Sequence, residues 1–426
     1  MTTSSAPGTP KAGTQQGDRT IVSITIAACL IFWVFVFSDS GWGPILTPLS
    51  IQLHVSLVTV GLFYVLWSTG YLPGALVGGA MLDRYGPRRV LFGAALIIFC
   101  GILSIFVGLL LPRFMPLGEL LAIAGLAGVG GGVIDAATNG VISAAFARRR
   151  GMALNLFNLL YPLGGVLVAL VDAGLLTLFH NDPRPAFLFT LCFIVVALFS
   201  LLGIPASYRV GTEVGPEQMS LPESATLPTS LQLVDDTTSA VEPGRAKPLF
   251  VTLASVIVVM VFTAGISSTV RAWAPTYLHV AFGQTPAIAA LLSSITWALS
   301  ALSRLGAAAL ILRIGSWRMV ILGILLTLLG LVSMMLSPNA VIATLAIALT
   351  SIGLSPLFAT CLAIGSERAG RSPGSVAGIL LFMSGISTVF CSWFFGFLLN
   401  TVGPLWAVVF CFTFVLLGGL MALRLR

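Results

Sequence analysis

Asp39, Asp135 and Arg271 each sit inside a long apolar stretch of this sequence. Ionisable side chains at membrane depth are rare and mark a functional site by default. A carboxyl group held there can take up and release a proton, and a guanidinium can grip a carboxylate through two parallel hydrogen bonds. Asp135 and Asn139 are four residues apart, hence on one helical face, and follow Gly130-Gly131-Gly132, which would let a neighbouring helix approach closely. Along a helix of 1.5 Å rise, Asp135 stands roughly 20 Å from the basic boundary at Arg148. An ionised carboxylate at that depth is costly without a partner, which suits a proton carrier; the structural alternative is a protonated Asp bonded to a neighbouring helix.

Asp39 and Arg271 occur in related phrases. Asp39-Ser40-Gly41-Trp42-Gly43-Pro44 and Val270-Arg271-Ala272-Trp273-Ala274-Pro275 share Trp-x-Pro, with the tryptophans 231 positions apart (273 − 42). A repeat that puts an acid in one copy and a base in the other suggests a site between two halves. Two readings stay open: a salt bridge that closes an outer gate, or an Arg271 that binds a substrate carboxylate and an Asp39 that releases it on protonation. The plainer alternative is an Arg271 that snorkels to the headgroups. Asp172, near an outer helix end, reads as structural.

These residues need a membrane-spanning frame to position them. The chain of 426 residues is 57% hydrophobic and 8% charged, with a mean hydropathy of +1.05, which excludes a soluble globular domain. Twelve segments are long and apolar enough to cross a bilayer: about 21–46, 56–81, 88–111, 117–147, 150–176, 185–206, 249–281, 285–313, 317–337, 339–367, 374–402 and 404–424. The expected fold class is an all-α membrane protein with two pseudo-symmetric six-helix bundles. Its expected divisions are a cytoplasmic tail over 1–20, bundles over 21–206 and 249–426, and a cytoplasmic linker over 207–248. That linker carries Glu213, Glu217, Glu223, Asp235, Asp236 and Glu242 among Pro, Ser and Thr, with no apolar stripe.

With the N-terminus inside, seventeen of the 21 Lys and Arg fall on the cytoplasmic side, so both termini are expected to be cytoplasmic, in an inner membrane. The formal charge of +7 is spread over short clusters between apolar runs, which argues against a nucleic-acid partner. The six cysteines lie in apolar stretches without a CxxC and read as small buried hydrophobes with no disulfide. His54, His180 and His279 are scattered, so neither a metal nor another cofactor is expected.

Gly79-Ala80-Met81-Leu82-Asp83-Arg84-Tyr85-Gly86-Pro87-Arg88-Arg89 joins the second and third segments, and a partial copy, Ala308…Arg313-Ile314-Gly315-Ser316-Trp317-Arg318, follows the eighth. The first resembles the G-x-x-x-D-R-x-G-R-R signature of the major facilitator superfamily, with Pro87 in place of a basic residue. That resemblance implies that Asp83, with Arg84 and Arg88, supports closure of the cytoplasmic side, against a helix N-terminus near Pro373-Gly374. Asp-x-x-x-Asn in the fourth segment, followed by Arg150…Leu154-Asn155-Leu156…Asn158…Gly164-Gly165, is similar to the fucose/glucose–proton symporter branch. So are Asp39, Trp273…Tyr277, Trp297…Arg304 and Gly353…Pro356. The branch implies proton coupling and sugar recognition by the acids of the first and fourth helices, here Asp39 and Asp135. Arg271 departs from the branch, whose seventh helix often has an acid or neutral residue there, and the scarcity of amides departs from a sugar site.

The remaining substrate-binding candidates are Asn139, Asn155, Asn158, Tyr161, Trp42, Trp273 and Trp297. The expected function is proton-coupled transport of a small hydrophilic solute (a sugar, sugar acid or other carboxylate) by alternating access, by a monomer whose partners are the solute, protons and the bilayer. The alternative is a proton-driven drug or metabolite exporter of the same fold, for which the 27 Phe could line a wide aromatic cavity. A two-carboxylate intramembrane protease is not expected, because Asp135 lacks a Gly-x-Gly-Asp setting and no nucleophile–base pair is present.

Overall fold

The computed structural model describes residues 12–111, 115–146, 150–204, 249–368 and 373–423. Among the described residues, twelve helices are long and apolar enough to cross a membrane, each coinciding with an expected segment. The linker expected over 207–248 lies outside the described residues, as do residues 1–11 of the expected tail; helix already begins at Ala12.

The first half comprises α1 (Ala12–Ser40), α2 (Trp42–Leu53), α3 (Leu57–Tyr85), α4 (Pro87–Leu110), α5 (Leu117–Ala145), α6 (Arg150–Asn158), α7 (Leu160–Leu178) and α8 (Arg184–Ser200), closed by a short 3-10 turn at Leu201–Gly203. The second comprises α9 (Leu249–Phe282), α10 (Pro286–Ile314), α11 (Ser316–Met335), α12 (Ala340–Leu354), α13 (Leu357–Arg368), α14 (Pro373–Thr401) and α15 (Pro404–Ala422). The end that bears the α3–α4 and α10–α11 turns is termed the basic face, and the opposite end the far face.

Three spans expected as continuous helices are broken, and proline accounts for each. A proline lacks the N–H that would bond the carbonyl four residues earlier, and its ring crowds that carbonyl. Pro44 follows the break at Gly41, Pro162 the break at Leu159, and Pro356 lies in the break between α12 and α13. The freed carbonyls of Ile352 and Asn158 find other donors. Ser303 Oγ donates to Ile352 O at 2.7 Å, and Arg304 Nη1 donates to Asn158 O at 3.3 Å.

The repeat shows in the turns. Gly86 (φ 79°, ψ 160°) and Gly315 (φ 82°, ψ 160°) end α3 and α10 in one conformation, open to glycine and strained for other residues. Ser56 and Thr285 cap the starts of those two helices through their hydroxyls. Both pairs are 229 positions apart (315 − 86 and 285 − 56).

Small residues set the closest contacts. A Cβ on Gly128 would lie 2.0 Å from Trp67 O, and one on Gly132 2.1 Å from Tyr71 O, so α3 and α5 touch backbone to backbone. The halves meet along α3 and α14, where Leu72 packs on Gly385, and along α7 and α10, where Trp297 packs on Gly165. Towards the far face α2 packs against α9, with Thr47 Oγ1 donating to Thr276 Oγ1 at 3.3 Å. Against the expectation of uniformly buried cysteines, Cys100 and Cys192 are exposed on the bundle surface; their stretches are apolar because they face outward, not inward.

Candidate functional site

Two carboxyl groups anchor the site, both held by aromatic hydroxyl or indole donors from the first half. Asp39 sits in the last turn of α1, before the Gly41 break. Trp67 Nε1 on α3 donates to its Oδ1 at 2.9 Å, and the Tyr161 hydroxyl on α7 donates to its Oδ2 at 2.6 Å. Asp135, on α5, accepts a short hydrogen bond from the Tyr71 hydroxyl on α3. The glycine contacts between α3 and α5 fix the separation at which Tyr71 meets Asp135.

The two acids belong to one assembly. Phe35, on α1 between them, stacks on Tyr71 at 5.7 Å and lies against Tyr161 at 6.0 Å. From Asp135 a hydrogen-bond chain runs towards the second half. Asn139 Nδ2 donates to Asp135 Oδ1 at 2.9 Å, Asn158 Nδ2 donates to Asn139 Oδ1 at 3.0 Å, and the Asn158 carbonyl takes the Arg304 guanidinium.

The second half contributes the bases. Arg271, on α9, donates from Nη1 to Ser267 Oγ at 2.6 Å, with its guanidinium carbon 5.4 Å from the centre of the Trp297 ring. Trp297 in turn meets Tyr161 edge-on at 5.7 Å. Hence Tyr161 and Trp297 stand between Asp39 and Arg271. Among the described residues the only ion pair within 4.0 Å is Arg184–Asp182, so the Asp39–Arg271 salt bridge considered from sequence is not formed in this structure. Arg304 is a second, half-buried cation on this path; its Nε is buried and has no hydrogen-bond partner.

The other sequence candidates divide. Asn139, Asn158, Tyr161 and Trp297 come together with the acids and Arg271. Trp42 is buried against Phe63, Trp67 and Phe187, one ring behind Asp39. Trp273 is 1% exposed and wedged between Gly61 of α3 and Gly396 of α14, bridging the halves by packing. The side chain of Asn155 lies outside the described residues. Asp83 is exposed and makes no hydrogen bond to the described residues, and Arg84 covers the Tyr85 ring at 5.3 Å. Arg88 turns within its own half, donating from Nη1 to Ile204 O at 3.3 Å. α14 does begin at Pro373, but its first-turn side chains are outside the described residues, and so is the expected contact with Asp83.

Sequence reasoning missed Tyr71 and Trp67, which resemble ordinary core aromatics, and noted Arg304 without a role. Asp172, expected to be structural, lies on α7. Asp172 is 2% exposed with an unpartnered Oδ2, beside the Gly41 break.

Two pseudo-symmetric six-helix halves, joined along two helix pairs around intramembrane acids and bases, define a multi-pass membrane transporter architecture. Residues 28–390 match the model of the Major Facilitator Superfamily, and the chain belongs to that family. No curated protein matches by sequence. Among solved structures, a D-xylose–proton symporter superposes with a TM-score of 0.75 at 17% identity, over 95% of this chain and 97% of that one. The inward-open xylose transporter XylE from E. coli gives 0.71 at 17% identity, over 95% of each chain. A variant of the fucose–proton symporter FucP from E. coli gives 0.59 at 11% identity, over 96% and 99%. These likenesses establish the shared fold.

Proposed function

We propose that this transporter couples protons to the movement of a small hydrophilic carboxylate, sugar acids included, by alternating access, with both termini on the cytoplasmic side. The observation that carries the reading is Arg271: a guanidinium at membrane depth, held by Ser267 and Trp297 and paired with no carboxylate among the described residues. A half-buried cation so placed is compensated when an anionic ligand arrives. Arg304 strengthens the same preference, and two guanidiniums disfavour the lipophilic cations of the exporter reading. Asp39 and Asp135 are the proton carriers in this scheme. Of their hydrogen-bond partners, Tyr161 leads through Trp297 to Arg271, and Asn139 leads through Asn158 to Arg304. The proton–sugar symporter neighbours support the proton part of this reading.

The test uses purified protein in proteoliposomes and a screen of neutral sugars, sugar acids and small carboxylates. Asp135→Asn is expected to abolish proton-driven accumulation and keep some counterflow exchange. Arg271→Ala is expected to weaken acidic ligands by about thirty-fold or more, as truncating one partner of a buried charge pair costs about 2–5 kcal/mol. Undiminished pH-dependent uptake by the first variant, or retained acid binding by the second, would overturn the proposal.

A further inference from the structure

The loop expected to serve only as a gate has a second face. Arg88 and Arg89 project from the start of α4 on the side of α8, where they border a groove of about 320 Å³ at the basic face. A groove of that size has more room than inorganic phosphate requires. Its walls change character with depth. Tyr85, Arg88 and Arg89 line it at the level of the span ends, with Leu202 beside them; Phe92 and Leu198 line it about one turn deeper. Phe92 is four residues beyond Arg88, about 6 Å further along the helix axis, inside the apolar span Pro87–Leu110. Leu198 and Leu202 close the span Arg184–Gly203. The polar end therefore sits where two membrane spans stop, and the apolar end faces the hydrocarbon.

We propose that this groove binds an anionic phospholipid of the leaflet bordering the basic face, with its phosphate at Arg88 and Arg89 and its acyl chains along Phe92, Leu198 and Leu202. Charge complementarity commits the occupant: the lining has two guanidiniums and no acid. The hydrogen bond to Ile204 O fixes Arg88 while using one of its five N–H donors, which leaves the rest for a phosphate. Gly86 caps α4 without a side chain and Pro87 has no N–H, so the first free amides, those of Arg88 and Arg89, add to the positive end. Phe92 and Leu202 are exposed, as acyl-chain contacts require. Basic pockets between membrane helices recognise acidic headgroups by this chemistry.

The experiment is lipid titration of the full chain in detergent, read by native mass spectrometry and thermal shift, with phosphatidylglycerol, phosphatidylcholine and inorganic phosphate as probes. Phosphatidylglycerol is expected to bind selectively, and Arg88→Gln and Arg89→Gln each to lower its apparent affinity about five-fold. Arg318→Gln, on the equivalent α10–α11 turn, is expected to leave it unchanged. Because Arg89 is exposed, its variant tests the site even if Arg88→Gln perturbs folding. Equal binding of both lipids, a shift reproduced by inorganic phosphate, or equal loss in Arg318→Gln would overturn the proposal.

Discussion

Gly132→Ala is the sharpest perturbation the structure offers, because it adds one methyl group at the contact that aligns the Asp135 site. The added Cβ would lie 2.1 Å from Tyr71 O and 2.5 Å from Ala75 N, both backbone atoms of α3. Carbon–oxygen contacts between helices are ordinarily about 3.3 Å or longer, so the helices must part by about 1.2 Å. No rotamer change can absorb that displacement. Overpacking of this kind costs about 1–3 kcal/mol. The same movement draws the Tyr71 hydroxyl away from Asp135, and losing a hydrogen bond to a charged group removes a further ~1.5–3 kcal/mol. A misplacement of about 1 Å at a working site can cost a hundred-fold in rate. Gly93→Ala supplies the control: nothing lies within 4 Å of its added Cβ, and alanine is the better helix former. Paired measurements of Tm and of proton-driven uptake in proteoliposomes decide the matter. Gly132→Ala is expected to lower both, and Gly93→Ala neither. Equal stability and uptake in the two variants would refute the argument that close α3–α5 packing builds the site.

Three further outcomes are expected. Tyr161→Phe removes the 2.6 Å hydrogen bond to Asp39 and leaves the ring against Trp297, so uptake should fall about ten-fold with unchanged helicity by circular dichroism; full activity would detach Tyr161 from the mechanism. Trp297→Leu takes away the ring beneath Arg271, an interaction worth about 0.5–2 kcal/mol, so calorimetry should show acidic ligands weakened about two- to thirty-fold, with neutral ligands unaffected. Asp182, in the loop before α8, has its pKa lowered first by the hydrogen bond from the Arg184 side chain. Its stabilising contribution is therefore present above the ordinary carboxylate range and lost as pH falls through the depressed value. The pair is partly exposed, so Asp182→Asn should cost less than about 1 kcal/mol at neutral pH, with the Tm difference from wild type vanishing in acid.

The helical spans and the two acids were readable because apolar length and isolated charge are one-dimensional signals. The breaks were not read, although Pro44, Pro162 and Pro356 marked them, because each interrupts only one turn of a long apolar run. Tyr71 and Trp67 were hidden for a different reason. Their roles follow from which face of α3 meets α5, and the usable signal was the stripe Gly70, Gly74 and Gly78 at helical spacing, opposite Gly128 and Gly132. The internal repeat was read in the wrong register. Turns and caps repeat at 229 positions, but the Trp-x-Pro phrases repeat at 231. Two residues amount to about 200° around a helix. Trp42 and Trp273 are accordingly not equivalent, and they pack in unlike surroundings.

What the register does preserve is a division of charge between the halves. Asp39 and Asp135 belong to the first half; Arg271 and Arg304 belong to the second. The links between them are non-covalent and few: Tyr161 against Trp297, and Arg304 on the Asn158 carbonyl. That carbonyl is free because Pro162 cannot bond it, so a helix break in one half becomes the docking point for a cation of the other. Rocking of the halves has to change these contacts, since they cross the seam, while the bonds from Tyr71 and Asn139 to Asp135 stay within one half and survive. Under the proposed function an incoming carboxylate at Arg271 brings negative charge towards two acids, and protonating those acids removes the repulsion. Binding of the anion and binding of the proton then favour each other, and the coupling is reciprocal by thermodynamic necessity. The division of charge between halves is thus what would let one movement release both ligands on the same side.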